Sequence, residues 1–178
     1  MKKVVVGIVL GSDSDLSTMK ESAEILQRFK VPYEMTISSA HRSPERTVNY
    51  AKRAEKRGLK VLIVGAGGAA HLAGVIASHT TLPVIGVPMD TEVLKGRDSL
   101  YSTVQMPKGV PVATMAIGNS GAANAAILAV EILALSNTKI RKELKRYKAD
   151  LAKDVEKKGK RLERLGYQKH STSKSRME

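Results

Sequence analysis

His41 lies in the run Ser39-Ala40-His41-Arg42-Ser43-Pro44. It pairs an imidazole, which titrates near neutrality unaided, with a guanidinium whose planar fork suits phosphate. Ser39 and Ser43 can add hydroxyl contacts. A lone histidine is usually structural, but one set between an arginine and two serines is a candidate proton carrier beside an anion anchor. A second run, Gly11-Ser12-Asp13-Ser14-Asp15, offers a glycine turn, two hydroxyls and the free N–H groups of a following helix. A carboxylate there suits ribose hydroxyls better than phosphate, which it would repel. The same residues also make an ordinary turn and helix cap.

The third run is Gly65-Ala66-Gly67-Gly68-Ala69-Ala70-His71-Leu72. It matches G-x-G-x-x-A, with Asp90 some way downstream, but that dinucleotide fingerprint belongs after the first strand of its unit. Its small residues let a flat ligand approach main-chain amides, and His71 can help orient it. Tight helix–strand packing would use the same residues.

Several chemistries have no residues to carry them. The chain has no cysteine, so disulfides, thiolate metal sites and Cys nucleophiles are excluded. There is no P-loop, no H-E-x-x-H and no G-x-S-x-G elbow. Neither a metal nor a cofactor is expected. His79, at a helix end, and His170, near the C-terminus, are assigned no role.

The elements that must position these loops are short β-branched runs at Val4–Leu10, Tyr33–Ser38, Val61–Val64, Val84–Val87 and Val112–Ile117. Between them, helical spacing covers Ser17–Phe29, and Pro44–Arg57 follows a Ser43 cap. Ala69–Ser78 and Ala122–Leu135 are apolar nearly all round, as deeply buried helices are. Alternating strands and helices predict an α/β three-layer αβα sandwich. Its five-stranded parallel sheet should be flavodoxin-like, in the order 2-1-3-4-5. Ligands then bind beyond the carboxyl ends of the strands, where strands 1 and 3 diverge. All three loops fall at such ends.

From 138 to 166 a charged helix carries one apolar stripe through Ile140, Leu144, Tyr147, Leu151, Val155, Leu162 and Leu165. Packing across a subunit boundary would bury it. Residues 1–168 read as one domain and 169–178 as a basic, flexible tail. The net charge of +13 is concentrated late: Lys139 to Glu178 holds 15 Lys and Arg against 6 Asp and Glu, leaving +4 for the rest. Few aromatics interleave with those cations, so nucleic acid is not expected as a partner; a solvated helix from a heat-adapted organism explains them more simply. Lys2-Lys3 and the apolar run after them imitate a signal peptide, but Ser12-Asp13-Ser14-Asp15 is a poor cleavage region and a buried first strand fits better. No run approaches the ~20 apolar residues that span a bilayer. A soluble, cytoplasmic protein without a membrane partner is expected.

Together the three loops resemble one family, the class I 5-(carboxyamino)imidazole ribonucleotide mutases (the PurE family). Pro83–Pro88, Asp98–Ser102, Gln105–Pro111 and Gly121–Ala126 add to the resemblance, which covers roughly residues 4–165. It implies a mutase of purine biosynthesis that converts the N-carboxylated nucleotide to 4-carboxy-5-aminoimidazole ribonucleotide, and a cytoplasmic homo-octamer. Ser12, Ser14, Ser39 and Arg42 would hold the substrate phosphate, Asp15 the ribose, and His41 would be the general acid/base. Gly67, Gly68, Ala70, His71 and Leu72 would surround the migrating carboxylate. Ala73 stands where the family usually has proline, a change that removes no chemical group. The nearest rival is the class II enzyme, which carboxylates aminoimidazole ribonucleotide with free CO2. A flavin- or nucleotide-binding protein of the same fold is a more distant one.

Overall fold

The computed structural model describes the backbone of residues 3–174 and the side chains of residues 3–165. Five parallel strands form one sheet: β1 (Val6–Leu10), β2 (Tyr33–Ile37), β3 (Val61–Ala66), β4 (Val84–Pro88) and β5 (Ala113–Thr114). Their order is β2-β1-β3-β4-β5, as the pattern predicted. The middle strands are buried along their whole length because helices cover both faces, which is why they read as continuous apolar runs. Alternate residues serve opposite faces. Ile8, Leu10 and Ile63 pack under α1 (Leu16–Arg28) and α5 (Asn119–Ala134), whereas Val9, Leu62 and Val64 pack under α2 (Pro44–Arg57) and α3 (Leu72–Ala77).

Some boundaries differ from those expected. β5 keeps only two residues, since pairing ends at Gly86 with Thr114 and the chain then turns toward α5. α3 begins at Leu72 rather than Ala69, because Gly68 sits at φ +64° and holds the preceding residues in a turn. A helix was missed: α4 (Arg97–Val104) buries Ser99 and Thr103, not an apolar stripe. Their hydroxyls donate to the carbonyls of Met89 and Ser99, so hydrophobic periodicity could not reveal it.

The last helix, α6 (Thr138–Lys174), runs beyond the expected end at 166 and through most of the segment read as a tail. No proline follows Leu165 to stop it; residues 175–178 lie outside the described residues. Its first turns pack Ile140, Leu144 and Tyr147 against the core, and Tyr147 meets Phe29 edge-on at 5.4 Å between ring centres. Farther along, Leu151, Val155 and Leu162 remain exposed.

Candidate active site

Parallel strands place their carboxyl ends on one edge, and β2, β1 and β3 are neighbours. Leu10 therefore stands in register with both Ile37 and Gly65. Adjacent strands lie ~4.8 Å apart, so the loops that follow them must meet. They enclose a cleft of about 340 Å³.

The loop after β1 is a single tight turn, η1 (Asp13–Asp15), with a reciprocal cap. Ser14 N–H donates to Ser12 Oγ, and Ser12 N–H donates to Asp15 Oδ2 at 3.1 Å. Turn chemistry and site chemistry thus share the same residues, since Gly11, Ser12, Ser14 and Asp15 all line the cleft. Asp15 is 8 % exposed. Burial raises its carboxyl above the usual aspartate range, against the hydrogen bonds from Ser12 and Ser14 that favour the ion. A folded-state pKa above the unfolded one means that ionising Asp15 costs stability, and the cost grows as pH rises through the raised value. Asp15→Asn keeps the acceptor for Ser12. It is expected to melt higher than the wild type near neutral pH and to lose that advantage in acid, as read by thermal melts across pH. A melting difference independent of pH would refute this.

Asp13 is exposed and its carboxyl is held below the usual range, first by the Ser12 hydroxyl, then by the Ser14 N–H, with a smaller contribution from the Arg42 charge. It competes for the groups that would hold an anion. Asp13→Asn is therefore expected to tighten binding of an anionic ligand by roughly 2- to 5-fold, more at low salt. Titration at two ionic strengths checks it.

In the loop after β2, Ser39 Oγ accepts the Arg42 N–H at 3.2 Å, which leaves the Ser39 proton available to a ligand. Ser43 does not cap α2 with its side chain, contrary to expectation. Its hydroxyl closes the loop instead, donating to Ser39 O and accepting Ser39 N–H. Beneath, the buried hydroxyls of Ser38 and Thr47 lie 2.8 Å apart and tie this loop to α2. Arg42 and His41 are exposed on the cleft.

From the third loop, His71 reaches across. His41 Nε2 and His71 Nδ1 are 2.9 Å apart with rings nearly perpendicular. A hydrogen bond across that gap has one nitrogen donating and the other accepting, and the tautomers decide which. No sequence pattern pointed to this pair, because thirty positions separate its members and only the sheet order joins them.

His41, Ser12, Ser14, Asp15, Ser39, Arg42, Gly67, His71 and Leu72 all line the cleft. Gly68 and Ala70 do not. Gly68 provides the left-handed turn, and Ala70 is buried in the core beneath the loop. Gly11, Ala40, Ala66 and Ala69, which the sequence placed in these loops without naming them as site residues, also line it. Their signal was only smallness; their effect is a cleft wall of methyl groups and bare backbone beside the imidazoles. Among the described residues, no group of three or more His and carboxylate side chains could hold a metal ion, and no helix is long and apolar enough to cross a membrane.

A doubly covered parallel sheet with a cleft at its switch point, lined by a histidine pair, an arginine and serines, defines an α/β protein with a candidate active site. The AIR carboxylase family model matches residues 5–154, and this chain belongs to that family. It is 58 % identical over 169 residues to the N5-carboxyaminoimidazole ribonucleotide mutase of Pyrococcus horikoshii, covering 95 % of this chain and 94 % of that one. The mutase of the same name from Thermotoga maritima is 56 % identical, with 95 % and 98 % covered. The phosphoribosylaminoimidazole carboxylase of Schizosaccharomyces pombe is 54 % identical over 94 % of this chain, which spans 30 % of that longer protein. Among solved structures, Treponema denticola PurE superposes with a TM-score of 0.80 at 28 % identity, covering 89 % of this chain and 98 % of that one.

Proposed function

We propose that the chain is an N5-carboxyaminoimidazole ribonucleotide mutase, with His41 as its acid and base. The observation that carries this reading is the histidine pair beside Arg42 and the serines, in a chain whose full-length relatives bear that enzyme name. Arg42 with Ser12, Ser14 and Ser39 holds the phosphate. Asp15, buried at a cost in stability, keeps lone pairs for the ribose hydroxyls.

In the first half of the reaction, His41 as imidazolium protonates the exocyclic nitrogen as its carboxylate leaves. This gives aminoimidazole ribonucleotide and CO2. Ring C4 then attacks the CO2 carbon, and neutral His41 removes the C4 proton, so the cycle closes on one residue. His71 Nδ1 can accept a hydrogen bond from His41 Nε2 whether His41 is protonated or neutral, which orients the ring through both half-reactions. The wall of Ala40, Ala66, Ala69 and Leu72 confines an apolar CO2 beside C4, making recapture effectively unimolecular.

Incubating the purified protein with 5-(carboxyamino)imidazole ribonucleotide and following the C4-carboxylated product tests the proposal; no turnover would overturn it. The class II reaction, with aminoimidazole ribonucleotide and free CO2, passes through the same intermediate. Comparing the two substrates at low bicarbonate separates them: the mutase stays active on the carboxylated nucleotide when bicarbonate is scarce.

We further propose a cytoplasmic homo-octamer. The isolated chain leaves Val93 88 % and Leu135 77 % exposed, with Tyr101 and the outer stripe of α6 also uncovered, and such apolar surface marks subunit contacts. Light scattering on the full chain gives the mass directly.

A further inference from the structure

β2 is an edge strand of the sheet. Val9 packs under α2 and stands in register with Thr36, so Glu34, Thr36 and Ser38, at alternate positions, present their side chains to that helix. All three are polar where an apolar set would cover the strand, and each has a partner on α2. Glu34 accepts the Tyr50 hydroxyl at 2.8 Å and pairs with Arg57. Thr36 Oγ1 accepts from Arg46 at 3.1 Å. Ser38 and Thr47 join their hydroxyls at 2.8 Å. Apolar contact is non-directional and lets one element slide over another, whereas hydrogen bonds between fixed partners set one register.

The third of these links lies beside the loop 39–43 that carries His41 and Arg42. Ser38 is 1 % and Thr47 0 % exposed. Thr47 Oγ1 donates to the Ser43 carbonyl at 3.3 Å, as helical threonines do to the residue four back. The Ser38 proton therefore makes the 2.8 Å bond. The Ser43 hydroxyl carries the chain onward, donating to the Ser39 carbonyl at 3.1 Å. A run of hydrogen bonds thus closes the base of the loop, with Ser38 and Ser39 at one end and Ser43 and Thr47 at the other.

Neither Ser38 nor Thr47 lines the cleft. Stability does not explain them either, since replacing both partners of a buried hydrogen bond by apolar groups of the same shape is nearly neutral or stabilising. What a satisfied buried polar pair supplies is a single geometry.

We infer that Ser38 and Thr47 are positioning residues for His41, holding its loop where the imidazole meets His71 at 2.9 Å. A catalytic group has to be kept within ~0.5 Å of its productive place, and the hydroxyl pair fixes the base from which His41 projects. The inference deepens the proposed reaction and rests on His41 as its acid and base.

The test compares Ser38→Ala/Thr47→Val, Thr47→Val and Thr47→Ser in the full chain. The double variant is expected to melt at or above the wild-type temperature, yet to lose ~10-fold or more in kcat. Its KM should move by less than ~3-fold, because Arg42 can follow the phosphate on a flexible side chain and Ser12 and Ser14 sit on an untouched loop. Thr47→Val alone strands the Ser38 hydroxyl and should lose both kcat and stability. Thr47→Ser keeps the hydroxyl but loses a buried methyl, so it should melt lower and retain wild-type kcat. Crystal structures give a reading independent of activity: His41 should be displaced by ~0.5 Å or more in the double variant and unmoved in Thr47→Ser. Absence of turnover in the wild type would defeat the mutase reading and leave this structural comparison to decide the inference. It is overturned by wild-type kcat in the double variant, by an unmoved His41 in it, or by kcat losses that track melting temperature across the three variants.

Discussion

His41→Asn is expected to bind the ribonucleotide about as well as the wild type and to lose turnover by ~10²–10⁴-fold, the range for removal of an acid/base group. Asparagine is of similar reach, and its amide N–H can still donate to His71 Nδ1, which His41 Nε2 meets at 2.9 Å. The loop and the pair's geometry are therefore retained while the titrating group is lost. His41 is exposed on the cleft, so the substitution leaves no buried group unpaired and the melting temperature should be unchanged. The measurement is a split of kcat from KM, with nucleotide affinity read independently by calorimetry. Near-normal turnover would sink the assignment of His41, whatever the affinity.

Arg42→Ala should show the opposite split. A guanidinium bound to a phosphate through two parallel hydrogen bonds contributes about 2–3 kcal/mol, so its loss should raise KM on the order of 10²-fold. Turnover at saturation should fall much less, since Arg42 touches no reacting atom in the proposed chemistry. Its backbone N–H, not its side chain, holds Ser39 Oγ, and the loop should survive the truncation. Unchanged substrate affinity in this variant would remove Arg42 from the phosphate site and leave Ser12, Ser14 and Ser39 as its holders.

Much of the architecture was legible because burial on both faces of a parallel sheet leaves a plain mark: apolar runs a strand long, separated by helical spacing. The order 2-1-3-4-5 is the natural expectation for five such strands, and the chemical loops fall where it places a site. Three features escaped for physical reasons. α4 buries hydroxyls that hydrogen-bond to carbonyls, so it has no apolar stripe to read. Ser43 looked like a helix cap, yet its hydroxyl closes its own loop, a choice between two nearby partners that sequence does not decide. Gly68 and Ala70 were grouped with Gly67 because smallness serves a turn, a core contact and a cleft wall equally well.

His41 was legible as a candidate proton carrier from its own neighbours, an imidazole between an arginine and serines at a strand end, and the family resemblance implied its role. Its hydrogen-bond partner was not legible. A sequence records which groups are adjacent along the chain and which faces must be buried. The approach of His71 depends instead on β1 lying between β2 and β3, on parallel registers that level their ends, and on a left-handed turn at Gly68. Residue types thus determined which chemistry the chain could attempt. Only the folding of three loops onto one edge of the sheet decided that two imidazoles would meet within hydrogen-bonding distance there.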